Sequence, residues 1–109
     1  KPGDGCVYTF QVRNSGDIAA KLGTITPTQP TGSGVTCATA SGGNMVCGNI
    51  TYKITTNSAG TTIATSSNTT VNAGQTKTLY LVVRYTGTEL SSSTVEQSSA
   101  SFSMPFNQA

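Results

Sequence analysis

The longest apolar alternation in the chain is Ala73 to Thr86, AGQTKTLYLVVRYT, and it admits few folds. Leu79, Leu81, Val83 and Tyr85 fall on one face; Thr78, Tyr80, Val82 and Arg84 fall on the other. A period of two places successive side chains on opposite sides of a pleated strand. Most of these residues are β-branched or aromatic, which suits that surface. Asn72-Ala73-Gly74-Gln75 supplies a turn at its start. The stretch therefore reads as the central core strand, on which the remaining strands bury their apolar faces.

The rest of the chain supports an all-β reading. No segment holds a helical period beyond one turn, and threonine makes up about a fifth of the residues, a bias toward strand. Cys6 to Arg13 is a strand with Tyr8, Phe10 and Val12 on one face, ended by Asn14-Ser15-Gly16-Asp17. Ile18 to Thr26 is a weaker run, in which Gly23 invites a bulge or an edge position. Pro27 to Gly34 is excluded from a central strand, because Pro27 and Pro30 lack ladder donors. Val35–Ala38 and Asn44–Cys47 form a small hairpin around Ser41-Gly42-Gly43-Asn44.

In Asn49 to Thr56, Ile50, Tyr52 and Ile54 face inward while Thr51, Lys53 and Thr55 face water. Asn57-Ser58-Ala59-Gly60 then turns into a short strand, Thr61 to Thr65, and Thr69–Val71 leads into the central strand. Glu89 to Glu96 is a loop or one helical turn. Ser99 to Phe106 is the last strand, with Pro105 marking a sheet edge.

About seven to eight short strands at intervals near 8–12 residues predict one antiparallel β-sandwich over residues 1–109, immunoglobulin-like or jelly-roll-like. Its expected core is Tyr8, Phe10, Val12, Leu22, Ile50, Tyr52, Ile54, Leu79, Leu81, Val83, Ala100, Phe102 and Met104.

Reactive chemistry is scarce. The chain has no histidine and no tryptophan, which removes a Ser-His-Asp triad, His-ligated metal and histidine acid–base work. Asp4 and Asp17 lie in turns, and Glu89 and Glu96 flank one loop, so no two carboxylates share a strand face as a glycosidase pair needs. No EF-hand, zinc, P-loop or dinucleotide pattern is present. The expectation is a protein that is not an enzyme and needs no cofactor or metal. With 9% charged residues and a net charge of +2, nucleic acid is not an expected partner. No run of 18 apolar residues suggests a membrane span. Lys1-Pro2-Gly3-Asp4 reads as a mature or trimmed start.

Cys37 and Cys47 bracket the hairpin turn, and a bridge between them closes a loop worth roughly 2.5 kcal/mol in the chain-entropy model. Such a disulfide implies an extracellular, oxidising location. Cys6 paired with either partner, or three buried thiols, are alternatives that spacing leaves open. Left over, Cys6 is expected to be a small buried hydrophobe in the first strand, the alternative being an intersubunit bridge. Asn49-Ile50-Thr51 and Asn68-Thr69-Thr70 match the N-glycosylation pattern, which chance also produces in so Thr-rich a chain. Tyr8, Tyr52 and Tyr85 fall on inward faces, leaving Tyr80 as the surface aromatic.

What remains is edge chemistry. Charges that normally guard sheet edges are few here, so strands of neighbouring copies are expected to pair, and contacts that do not close produce filaments. Coverage by the Pro27–Gly34 loop and protection by Pro105 is the competing arrangement.

Two stretches carry a resemblance. Pro2-Gly3-Asp4 followed by Tyr8-Thr9-Phe10-Gln11-Val12-Arg13-Asn14-Ser15-Gly16-Asp17 resembles the PGD…Y-x-F-x-V-x-N-x-G opening of bacterial extracellular immunoglobulin-like domains. With AGQTKTLYLVV and the C-terminal strand ending Phe106-Asn107-Gln108, the chain is similar to the TasA/camelysin family of secreted biofilm-matrix proteins. That resemblance implies a jelly-roll-like sandwich polymerising into fibres by inserting a strand of one subunit into the next. The chain is shorter than typical members, and its cysteines are not part of the family pattern. The protease activity attributed to some relatives finds no metal ligands here.

If an end is donated, it is Lys1–Arg13, with Cys6, Val7, Tyr8, Thr9 and Phe10, or Ser99–Ala109, with Phe102, Met104 and Phe106. The partners expected are copies of the chain itself and a cell-surface or matrix component. A monomeric immunoglobulin-like module for adhesion or glycan binding is the alternative.

Overall fold

A computed structural model describes residues 5–28, 37–41, 43–47, 50–85 and 101–109. Every regular element among them is a strand, and every pairing is antiparallel. In chain order these are β1 (Gly5–Arg13), β2 (Ala20–Leu22), β3 (Thr26–Thr28), β4 (Cys37–Ser41) and β5 (Asn44–Cys47). They are followed by β6 (Ile50–Thr55), β7 (Thr70–Val71), β8 (Thr76–Tyr85), β9 (Ser101–Ser103) and β10 (Phe106–Gln108). A five-stranded sheet has the order β1-β8-β6-β5-β4, a three-stranded sheet the order β10-β2-β7, and β3 pairs with β9 as a ribbon.

β8 is the predicted central strand. It pairs with β1 from Gly5↔Arg84 to Arg13↔Thr76 and with β6 from Ile50↔Tyr85 to Thr55↔Tyr80. The turn before it has Gln75 N–H donating to Asn72 C=O at 3.0 Å, with Gly74 at φ 74. That left-handed value costs glycine nothing sterically.

The core lies between the two larger sheets. Met45, Ile54 and Leu79 from the five-stranded sheet meet Leu22 of β2, Ile25 and Ala64, with Phe10, Val12, Tyr52, Leu81, Met104 and Phe106 packed around them. Full burial of a side chain such as Leu79 (0% exposed) stabilises by about 1.5–3 kcal/mol.

Several expectations change. The run Ile18–Thr26 divides at Gly23, where a side chain would meet Asn107 Nδ2 at 2.7 Å and Pro105 C=O at 3.2 Å. Gly23 N–H instead donates to Pro105 C=O at 2.8 Å. The last strand likewise divides into β9 and β10 around Met104-Pro105. Pro27 does enter a strand, β3, but in a ribbon rather than a sheet interior, as a missing donor requires.

Thr61–Thr65 is not a strand. It contributes a single bridge, Ile63 to Thr55, and its backbone is tied down by Ala64 N–H donating to Ile54 C=O and Gly43 N–H to Ala64 C=O. This segment and the Asn57–Gly60 turn cover the face expected to meet water. Thr55 is 0% exposed and Val82 is buried, with Gly60 so close that a Cβ there would lie 2.9 Å from Val82 Cγ2. Thr55 Oγ1 stays satisfied by donating to Asn57 C=O at 2.9 Å. Ala100 lies outside the described residues, as does the side chain of Phe102.

Candidate functional site: the open edge of the large sheet

β1 has β8 as its one neighbour among the described residues, so its other edge is a row of backbone groups without a ladder partner there. The nine residues GCVYTFQVR hold no charge before Arg13. Lysine, proline, inward charges and bulges are the usual guards of such an edge, and from Gly5 to Gln11 there are none. The register with β8 runs unbroken through all nine pairs, so no bulge interrupts this edge.

Burial divides this strand in two. Phe10 and Val12 pack against the core, whereas every residue from Gly5 to Thr9 is exposed. Tyr8 is 55% exposed and Val7 51%, on opposite faces of the strand. Tyr8 therefore does not belong to the core, although its alternation matches Phe10. Alternation assigns a face, but burial needs a second layer over that face, and here the burial ends at Phe10. Tyr80, the expected surface aromatic, is half-buried, because it sits opposite Thr9 and Thr55 on the face covered beyond β6.

Cys6 is free and exposed rather than buried. It lies two residues before Tyr8 on the same strand face. A side-chain hydrogen bond with Cys6 holds the Tyr8 phenol above its ordinary value of 10.0, and the Cys6 charge adds to that. These two side chains lend each other polar partners at the sheet margin.

The lower end of β1 is fastened firmly. Asn14 N–H donates to Gln75 C=O and Asn14 C=O accepts from Gly74 N–H. Its side chain donates to Ile18 C=O at 2.8 Å and Val71 C=O at 2.9 Å, and accepts from Gly16 N–H at 2.9 Å. One edge strand is thus fixed at its Arg13 end and uncovered at its Gly5 end.

Elsewhere the described surface offers little for chemistry. A cleft of about 270 Å³ opens between Val12, Asn14, Ala20, Val71 and Phe106. Another of about 400 Å³ lies over Leu22 and Ile25, with Lys21 its one charged lining residue. Among the described residues no three His, Cys, Asp or Glu side chains gather as a metal site, and no helix is long and apolar enough to cross a membrane. Of the four carboxylates, Asp17 alone is described, exposed in the bend after β1.

Asn49 of the first glycosylation motif lies outside the described residues. Asn68 of the second is exposed, and its side chain bonds locally. Nδ2 donates to Ile63 C=O at 2.9 Å and Oδ1 accepts from Thr65 N–H at 2.8 Å. Of the C-terminal assembly segment, Met104 and Phe106 pack on the core.

Comparison with protein-family models, with characterised proteins and with solved structures finds no match to this chain.

Proposed function

We propose that this protein is a non-enzymatic structural subunit that assembles head to tail into an extracellular filament or matrix. Assembly proceeds by β-strand addition at β1. The observation that carries the reading is the nine-residue edge of β1, uncharged up to Arg13 and exposing Val7 and Tyr8. An incoming strand of a second copy gains main-chain hydrogen bonds along that edge and apolar contact on both faces. A contact of one surface with a different surface does not close on itself, so it extends into a fibre. The resemblance to secreted matrix proteins that polymerise by strand insertion points the same way, and so does the low charge, which leaves copies little mutual repulsion.

Light scattering and negative-stain microscopy of the purified chain test this. Regular fibres are expected, and Val7→Lys, which places a guard charge on the edge, abolishes them while leaving the thermal melt of the protomer in place. A sharp monomer peak from the unsubstituted chain at high concentration overturns the reading.

A further inference from the structure

We propose that Cys37 and Cys47 form a cross-strand disulfide clasping β4 to β5, which leaves Cys6 as the accessible thiol. The register of the β4–β5 hairpin sets Cys37 directly opposite Cys47. Opposed residues of antiparallel strands have Cα atoms about 4.5–5.5 Å apart, inside the 4.4–6.8 Å range that disulfides span. The opposition belongs to a continuous ladder, with Ala38↔Val46 and Thr39↔Met45 following it. β5 is held from its other side by β6, through Cys47↔Ile50 to Asn44↔Lys53. Both backbones therefore stand in place before any bond forms.

Sheet order removes the competing pairings that sequence spacing leaves open. Cys6 lies on β1, and β8, β6 and β5 stand between it and β4. At about 4.8 Å per strand, Cys6 is roughly 14 Å from β5 and 19 Å from β4, well beyond the ~7 Å Cα limit of a bridge.

The bond forms by thiol–disulfide exchange with an external disulfide. The Cys37 thiolate attacks one sulfur of glutathione disulfide and releases one glutathione thiolate. The Cys47 thiolate then attacks the mixed disulfide and releases the second. The protein gives up two electrons and two protons, and the glutathione disulfide takes them up as two thiols.

The folded chain, equilibrated in an excess of glutathione disulfide over glutathione, is alkylated, digested with trypsin without reduction and weighed. Cys37 and Cys47 share the peptide Leu22–Lys53, and Cys6 lies on Pro2–Arg13 or Lys1–Arg13. The expected result is a Leu22–Lys53 peptide two hydrogens lighter and unalkylated. Cleavage after Met45, which lies inside the loop, leaves its halves joined until reductant is added. Cys6→Ser gives the same peptide. Alkylation or glutathionylation of both Cys37 and Cys47, or a bridge from Cys6 to either, overturns the proposal.

Discussion

The side-chain amide of Asn14 donates to the backbone carbonyl of Val71 at 2.9 Å, joining the end of β1 in the five-stranded sheet to β7 in the three-stranded one. With the bonds to Ile18 C=O and from Gly16 N–H, this one side chain closes a bend and staples two layers. Each such bond contributes about 1 kcal/mol net, and a part-buried carbonyl left alone costs more. Asn14→Ala is expected to destabilise the fold by about 2–3 kcal/mol in urea unfolding. Asn14→Asp, which presents oxygen to two carbonyl oxygens, loses at least as much.

Gly60 and Gly74 have the same backbone angle, φ 74, in different surroundings. A Cβ at Gly74 meets nothing within 4 Å, whereas one at Gly60 lies 2.9 Å from Val82 Cγ2. Gly74→Ala therefore costs the left-handed penalty alone, about 1–2 kcal/mol. Gly60→Ala costs that and the displacement of a buried valine besides. Thermal melts of the two variants side by side give the difference directly, and equal losses would show that the turn yields freely over Val82.

Gly43 is buried where the backbone of β6 passes closest. An added Cβ would sit 2.6 Å from Ile54 C=O and 2.9 Å from Ile54 Cβ. Gly43 also donates to Ala64 C=O and accepts from Ile54 N–H, so it cannot move aside without losing both bonds. Gly43→Ala is expected to cost about 3 kcal/mol, read as a lower denaturant midpoint with an unchanged slope.

The Tyr8 phenol titrates above 10.0 because of its hydrogen bond with Cys6 and the Cys6 charge. Cys6→Ala removes both the bond and the charge, and one tyrosine in the ultraviolet titration should move back toward 10.0. Mixing the variant into the unsubstituted chain leaves the higher value in proportion. An unmoved titration means the two side chains do not meet in solution.

Leu79 tests the core. It is fully buried at the centre of the long strand, and Leu79→Ala is expected to destabilise by about 3 kcal/mol through lost transfer energy and the residual cavity. Leu81, which is packed at the margin of the same cluster, loses less when truncated.

Strand identity was well written in this sequence where period and punctuation agreed. Ala73–Thr86 and Cys6–Arg13 became β8 and β1 because each holds its alternation for more than six residues, and because β8 begins, and β1 ends, at a turn with its own hydrogen bonds. Coverage was not written there. Tyr8 and Phe10 have the same parity, and only the reach of the opposing layer separates an exposed tyrosine from a packed phenylalanine. Thr55 and Val82 have outward parity yet are buried, because residues 57–64 return over them. Ile25, absent from the expected core, joins it beyond the break at Gly23.

The scarcity of guard charge at the sheet margins was legible, since that is a property of composition. Which edge lay open depended on sheet order, and no local pattern encodes sheet order.

β1 is joined to the described fold laterally through β8 alone, across nine consecutive registered pairs. Its place is therefore a one-sided ledge along β8 with the length of one peptide. A synthetic GCVYTFQVR added to a chain shortened before Asn14 should dock there and restore the sheet, turning the protein into a two-part system whose halves report on each other.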